Sequence, residues 1–372
     1  MLLKVGEILG IPIDIKRKCI SMLDDGTELN NIYELFSKYS NASIDSMVRM
    51  IRNWKSGYQM SEPVPKKEKQ FNILQTLKKG IQLTELCERL NMSPKTCETY
   101  LDDLRSQGYN IVEIGGEVKI SNILEQTDNR LEKNWNGERI IRFGLMGDTQ
   151  INSKYTQITY LHKFYDICQS EGIDTVYMTG DIDDGEKMRP GHEYELYNHG
   201  ADNHIEEIVR VYPKRDGIKT YFITGNHDAA YVKLCGLDIG HKIAEKRSDM
   251  IYLGYMSSVV SITPNCTLEL RHPIDGTAYA ISYKIQKMIE AMSGGEKPNI
   301  LAVGHYHKTE YLFYRNVHAI QTGCFQAQSN WMKGKQISAH MGGWIIEVHV
   351  DDEGTITRIK QEFIPVYKAI VD

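Results

Sequence analysis

The chain has 372 residues, 41% of them hydrophobic and 25% charged, with a formal net charge of −5 at pH 7. That length predicts two or three domains with a sizeable core, and the mild charge excludes a globally basic nucleic-acid binder, so any such contact must be a local patch. The seven cysteines are scattered and never spaced CxxC, which argues against a zinc knuckle and for reduced thiols in a cytoplasmic protein. No run of about 18 apolar residues occurs, and polar and acidic residues interrupt residues 1–7, so neither a membrane span nor a signal peptide is expected.

Residues 1–58 read as three short helices. The first, over 14–23, stops at Asp24-Asp25-Gly26, and the second, over 31–39, at Ser40-Asn41. The third opens with Ser43 as N-cap and Asp45 in its first turn. It carries Met47, Val48, Met50, Ile51 and Trp54, with Arg49, Arg52 and Lys55 between them. Two helices, a tight turn and a last helix with projecting cations suit a helix-turn-helix DNA reader. A three-helix packing module with solvated cations fits the same residues. Residues 59–68, with Pro63 and Pro65, read as a polar linker that runs into Lys66-Lys67-Glu68-Lys69.

The next unit, 69–124, is more sharply patterned. Phe71, Ile73, Leu74 and Leu77 mark a helix closed by Gly80, and residues 83–90 mark a second. Ser93 then caps a third with Pro94 in its first turn, which runs through Tyr100, Leu101 and Leu104 to Gly108. Two strand-like runs flank Gly115-Gly116, a two-residue hairpin signal. Three helices followed by a hairpin resemble a winged helix-turn-helix domain. Its third helix offers Lys95 and Thr99 as DNA-contact candidates beside Thr96 and Arg105, but also carries Glu98, Asp102 and Asp103. Winged helices serve protein recruitment as well as DNA binding, and both roles stay open. Residues 125–138 read as a polar connector compatible with helix.

From 139 to 372 strands alternate with helical segments such as 157–169, the pattern of an α/β layered fold; residues 317–325, 343–350 and 356–365 are strand-rich. All twelve histidines lie between His162 and His349. Four strand-like runs end in Gly followed by oxygen or imidazole donors: Gly147-Asp148-Thr149-Gln150, Gly180-Asp181-Ile182-Asp183-Asp184, Gly225-Asn226-His227-Asp228 and Gly304-His305-Tyr306-His307. The carboxyl edge of such a sheet is where α/β folds place ligands, and four hits in order point to a metal centre. His272, between a strand-like run and Pro273, would by itself read as a core or surface histidine; its place between the last two motifs favours a ligand.

Taken together these motifs resemble the calcineurin-like metallophosphoesterase superfamily, whose pattern is DxH, GDxxD, GNH[DE], a lone His and GHxH. The resemblance covers roughly 140–372 and implies a β-sandwich core flanked by helices. It implies two divalent metal ions, with Asp181 bridging them. One would be held by Asp148, Asp181, His307 and Gln150, the other by Asp181, Asn226, His272 and His305. Mixed N and O donors suit Mn²⁺ first, with Fe, Zn²⁺ or Mg²⁺ behind it. His227 would stabilise the transition state or protonate the leaving oxygen, with Asp184 holding its imidazole. Gln150 departs from the pattern, which usually has histidine there, and an amide carbonyl is a weaker and harder donor. That leaves a degenerate, ligand-sensing domain as an alternative. Asp183 and Asp228 read as groups that hydrogen-bond the loops, and residues 192–204 as an insertion that could line the cleft.

The whole chain therefore reads as helix-turn-helix and winged-helix modules ahead of a metallophosphoesterase domain. DNA is the expected partner, with no membrane, and the expected activity is that of a DNA nuclease similar in reaction type to SbcD-type repair enzymes. A phosphodiesterase or phosphatase acting on nucleotides or phosphoproteins is the enzymatic alternative. The front modules could equally mediate a homo-oligomer or recruit a partner.

Overall fold

The computed structural model describes residues 11, 13–40, 42–57, 73–127 and 129–371. The linker at 59–68, the cations of 66–69 and the Lys55 side chain lie outside the described residues. The chain divides into two compact units, Met1–Leu74 and Gln75–Asp372.

In the first unit, helices α1 (Ile13–Asp24), α2 (Leu29–Phe36) and α3 (Ile44–Gly57) enclose a small core. Cys19, Ile32, Phe36, Met47 and Ile51 are buried there. Met47 and Ile51 stand four residues apart and so share one face of α3, whereas Arg49 and Arg52 are exposed.

The second unit begins with a winged helix. The end of a helix over 73–77 (α4), whose last three residues belong to this unit, is followed by α5 (Leu83–Leu90), α6 (Pro94–Ser106) and a three-stranded sheet of order β1-β3-β2. Its strands are β1 (Ile81–Gln82), β2 (Ile111–Ile114) and β3 (Glu117–Ile120). The Ser93 hydroxyl accepts from the Thr96 amide at 3.2 Å, the N-cap that the Ser-Pro pair implied. Gly115 and Gly116 adopt φ of 59° and 81°, the two left-handed residues that a tight hairpin needs. Cys97, Leu101 and Leu104 turn inward, leaving Lys95 and Thr99 exposed.

Two six-stranded sheets follow, packed face to face. Strands β4 (Asn129–Glu132), β9 (Ser257–Thr263), β10 (Cys266–Arg271), β11 (Ile300–Val303), β13 (Val317–Thr322) and β12 (Thr309–Tyr314) form one. Strands β8 (Met250–Tyr255), β7 (Lys219–Thr224), β6 (Thr175–Met178), β5 (Ile140–Met146), β14 (Gly342–Val350) and β15 (Ile356–Pro365) form the other. Phe143, Leu145, Tyr177 and Ile223 of the second sheet meet Val260, Leu268, Ile300 and Ile320 of the first in a shared core. Core residues of α7 (Ile158–Ser170), α8 (Ala201–Val211) and α10 (Ile239–Lys246) cover the far side of β5–β7, and α11 (Tyr283–Ala291) packs on β11 and β13. Two short helices, α9 (Ala230–Cys235) and α12 (Asn330–Gly334), follow β7 and β13 along the chain. This is the layered α/β architecture expected, with mixed sheets.

The connector differs from the expectation of helix. Residues 129–132 form β4, which pairs parallel with β9 at Asn129↔Ser258 through Glu132↔Ser261. Leu131 and Trp135 pack into the sandwich core, so burial at a sheet edge outweighs the weak local preference of a polar stretch.

Candidate metal centre and catalytic cleft

Each donor-bearing loop leaves the carboxyl end of a strand: Asp148 after β5, Asp181 after β6, Asn226 after β7, His272 after β10 and His305 after β11. The glycines ahead of them allow the loops to converge. A Cβ on Gly225 would lie 2.3 Å from Asp181 Oδ1 and 2.6 Å from His272 Nε2, and one on Gly304 would lie 3.0 Å from Asp148 Oδ2. Asp148, Gln150, Asp181, His305 and His307 all adopt left-handed backbone, with φ between 48° and 75°. Strain of this kind in non-glycine residues collects where a site needs side chains aimed at one point.

The convergence is tight and buried. Gln150 Nε2 donates to Asp181 Oδ2 at 3.1 Å, and His272 Nε2 lies 3.2 Å from the same oxygen and 3.1 Å from Asn226 Oδ1. His272 Nδ1 donates to the Thr179 carbonyl at 2.7 Å, which turns its other nitrogen toward the cluster. The His305 ring is tethered through Nε2 to the Asp275 carbonyl at 2.8 Å, while its backbone amide donates to Asp148 at 3.0 Å. His307 Nε2 stands 3.5 Å from Asp148 Oδ1. Asp181, His272 and His305 bring ligand atoms close enough to share one ion. Gln150 Oε1 and His307 Nδ1 are buried with no hydrogen-bond partner, a costly state for polar atoms unless a ligand completes them. The donor set therefore fits divalent cations.

Charge is shared across the cluster. Burial opposes ionisation of Asp181, but the charges of His272 and His227 outweigh it and hold the carboxyl well below the usual range. Burial pulls the His272 imidazole down, yet the Asp181 charge beside it raises it to about 9. Burial, with the neighbouring His272 charge, pushes His305 down to about 4.

His227 sits at the edge of this cluster. Its backbone amide donates to Asp181 Oδ1 at 2.9 Å, and its Nδ1 donates to the Asp184 carbonyl oxygen at 2.7 Å, with the Asp184 carboxylate at 3.4 Å. The carboxylate of Asp184 is also approached by His192 Nε2 at 3.3 Å and by Gln326 Nε2 at 3.4 Å. His192 is fully buried and belongs to the insertion; nothing in its local sequence marks it, because its partner is fixed only by the folded loop. Asp228 accepts backbone amides of Ile182, Asp183 and Gly225, and Asp183 is paired with His204 at 2.9 Å. Both are loop-holding groups.

Gln150, Asp181, Asn226, His227, His305 and His307 line a cleft of about 470 Å³. The same cleft is lined by Met188, Arg189, Trp331, Met332 and Ile337, which no motif announced. The candidate DNA-contact residues are elsewhere. Arg49 and Arg52 are in the first unit, Lys95 and Thr99 on α6, where Arg105 is held by Asp102 at 2.8 Å and by the Ile111 carbonyl at 3.3 Å.

A two-sheet α/β sandwich that gathers Asp, Asn and His at its strand ends has the architecture of the metallophosphoesterase class. Residues 141–317 match the family model of calcineurin-like phosphoesterases, and residues 66–109 match that of winged helix-turn-helix DNA-binding domains. The chain thus carries a calcineurin-like phosphoesterase domain preceded by a winged helix-turn-helix domain. The DNA polymerase II small subunit of Methanothermobacter thermautotrophicus is 27% identical over 202 residues, 44% of this chain and 41% of that relative. Among solved structures, an archaeal phosphodiesterase is 14% identical, covering 60% of this chain and 100% of its own, with a TM-score of 0.35. The zinc-complexed Vps29 of Entamoeba histolytica is 15% identical, covering 60% and 99%, with a TM-score of 0.30. No helix among the described residues is long and apolar enough to cross a membrane, and all seven cysteines are free.

Proposed function

We propose that this chain is a metal-dependent phosphodiester hydrolase acting on DNA, with front modules that bind or position the strand. The observation that carries the reading is the buried meeting of Asp181 with Gln150 and His272, with Asn226 against His272, at one end of both sheets and in the same compact unit as a winged helix. Asp148, Gln150, Asp181 and His307 would hold one divalent cation, and Asp181, Asn226, His272 and His305 the other. Two bound cations, Mn²⁺ ahead of Fe, Zn²⁺ or Mg²⁺, supply an activated water at neutral pH and offset charge on the phosphoryl oxygens.

The chain's own groups do the rest. The Thr179 and Asp275 carbonyls fix the rings of His272 and His305, so little reorganisation is needed when a phosphate arrives. His227 commits Nδ1 to the Asp184 carbonyl and leaves Nε2 to hold a proton for the leaving oxygen. The relative named as a DNA polymerase small subunit supports DNA as the setting, and a cytoplasmic location goes with the free thiols.

A second reading of the front is favoured by α6, whose Arg105 is neutralised by Asp102 and Glu98. There the winged helix would recruit a protein partner or a second copy, and the phosphoesterase would act on nucleotides. The test is turnover of bis-p-nitrophenyl phosphate and of single- and double-stranded DNA, in each metal, by wild type and Asp181→Asn. Wild type should hydrolyse both substrate types, and the variant neither while keeping its fold. Diester turnover without DNA cleavage would favour the nucleotide reading. No turnover in any metal would overturn the hydrolase.

A further inference from the structure

The cleft that holds the candidate metal centre is also lined by an exposed aromatic. Trp331 lines the cleft and is 42% exposed, so part of its ring is open to a ligand. It is nonetheless held in place. The Arg189 guanidinium lies over the ring, 4.6 Å from its centroid. Arg189 is itself locked in an ion pair with Glu195, and the other Glu195 oxygen accepts the Trp331 backbone amide at 3.2 Å. The Ser329 hydroxyl caps the start of α12 by accepting the Met332 amide at 3.2 Å. Met188, Met332 and Ile337 add apolar lining to the same cleft. The exposed cations Lys333 and Lys335 follow directly along the chain.

We infer that Trp331 is a stacking platform for the base of an unpaired nucleotide whose phosphate is at the Asp181–His305–His307 side of the same cleft. This deepens the phosphodiester reading and rests on it. A phosphate has no use for an indole, so an aromatic fixed in the same cleft as the polar cluster points to a flat ring attached to that phosphate. Aromatic faces accept any base, and exposed cations beside them meet flanking phosphates, the chemistry by which single strands are held. A base inside a duplex has both faces covered by its neighbours and cannot offer one to Trp331. The substrate class is therefore single-stranded or frayed-end nucleic acid.

The experiment compares kcat/KM for a short oligothymidylate and for the same backbone with abasic positions, in the full-length chain with Mn²⁺. Wild type should prefer the base-bearing strand by roughly 10- to 100-fold, the scale of one stacked base. Trp331→Ala should bring that ratio close to one, and Trp331→Phe should retain most of it. A ratio that survives Trp331→Ala overturns the inference while leaving the hydrolase intact. Binding is read separately from turnover, as quenching of intrinsic fluorescence that oligothymidylate produces in wild type and not in Trp331→Phe. Such quenching in a protein that cleaves nothing would sustain the base platform and sink the hydrolase. Equal quenching by a blunt duplex would overturn the requirement for an unpaired base.

Discussion

At the scale of single residues, the site is organised by two kinds of constraint: rings tied by backbone carbonyls and donors placed on left-handed backbone. His227 shows the first. Because its Nδ1 is given to the Asp184 carbonyl and its amide to Asp181, its side chain is positioned without being needed to hold the cluster together. His227→Ala should lower turnover about 10²- to 10⁴-fold, the usual scale for a lost general acid or base. Metal content measured by calorimetry should stay the same; a variant that loses an ion would make His227 a ligand. Gln150 shows the second. Its Nε2 is used by Asp181 while its buried Oε1 has no partner, so a carbonyl oxygen is the atom it has to offer. That donor is weaker than imidazole, so activity should keep rising with added metal after the tighter position is filled. Gln150→His should lower the metal concentration for half-maximal activity, and superimposable titrations of the two proteins would put Gln150 outside the coordination shell.

At the scale of elements, the winged helix and the phosphoesterase are not beads on a string. The Asn110 amide donates to the Gly236 carbonyl at 2.7 Å, the Asp238 amide donates to the Gly108 carbonyl at 2.8 Å, and Tyr109 packs against the core beneath α7 and α8. Gly236 ends α9, the helix that begins just after His227-Asp228, so the docking point and the catalytic loop share one short element. Gly236 has φ of 74°, and a Cβ there would lie 2.0 Å from Ile120 Cγ2 at the end of the wing. An alanine would meet the left-handed penalty of about 1 kcal/mol and also displace Ile120. Gly236→Ala should therefore speed limited proteolysis between the winged module and the sandwich, read by mass spectrometry of the fragments. Unchanged protection would show that docking does not depend on this contact. The pairing of β4 with β9 also means that a cut at residue 138 removes an edge strand from the sandwich, so an isolated front module should end before Asn129.

At the scale of the whole molecule, the net charge of −5 makes a DNA contact a matter of placement. Full-length protein should bind DNA with an affinity that falls as salt rises, by about 0.9 in log–log slope per phosphate neutralised. Arg49 and Arg52 are exposed on one helix, so replacing both with alanine should reduce that slope by about 1 to 2. A slope that does not move would direct the first unit toward protein contacts, as the acid-paired Arg105 already suggests for α6.

Much of this was legible from the chain. The Ser93-Pro94 start, the Gly115-Gly116 turn and the apolar rows of α3 and α6 follow from local rules of capping, φ and side-chain period, which act within a few residues. The motif loops were legible for a related reason: a glycine between a buried strand and a metal-type donor is a local record of crowding at the strand end. Tertiary structure alone decided the rest. That residues 129–132 are a strand depends on an edge supplied by β9, more than a hundred residues later. That Gln150 faces Asp181 and that Trp331 is held by Arg189 depend on contacts between distant segments, and that His192 reaches Asp184 depends on the path of the folded loop between them. Those contacts leave no period or spacing in the sequence, because they are made where separate loops converge at the strand ends rather than by the turn of any one element.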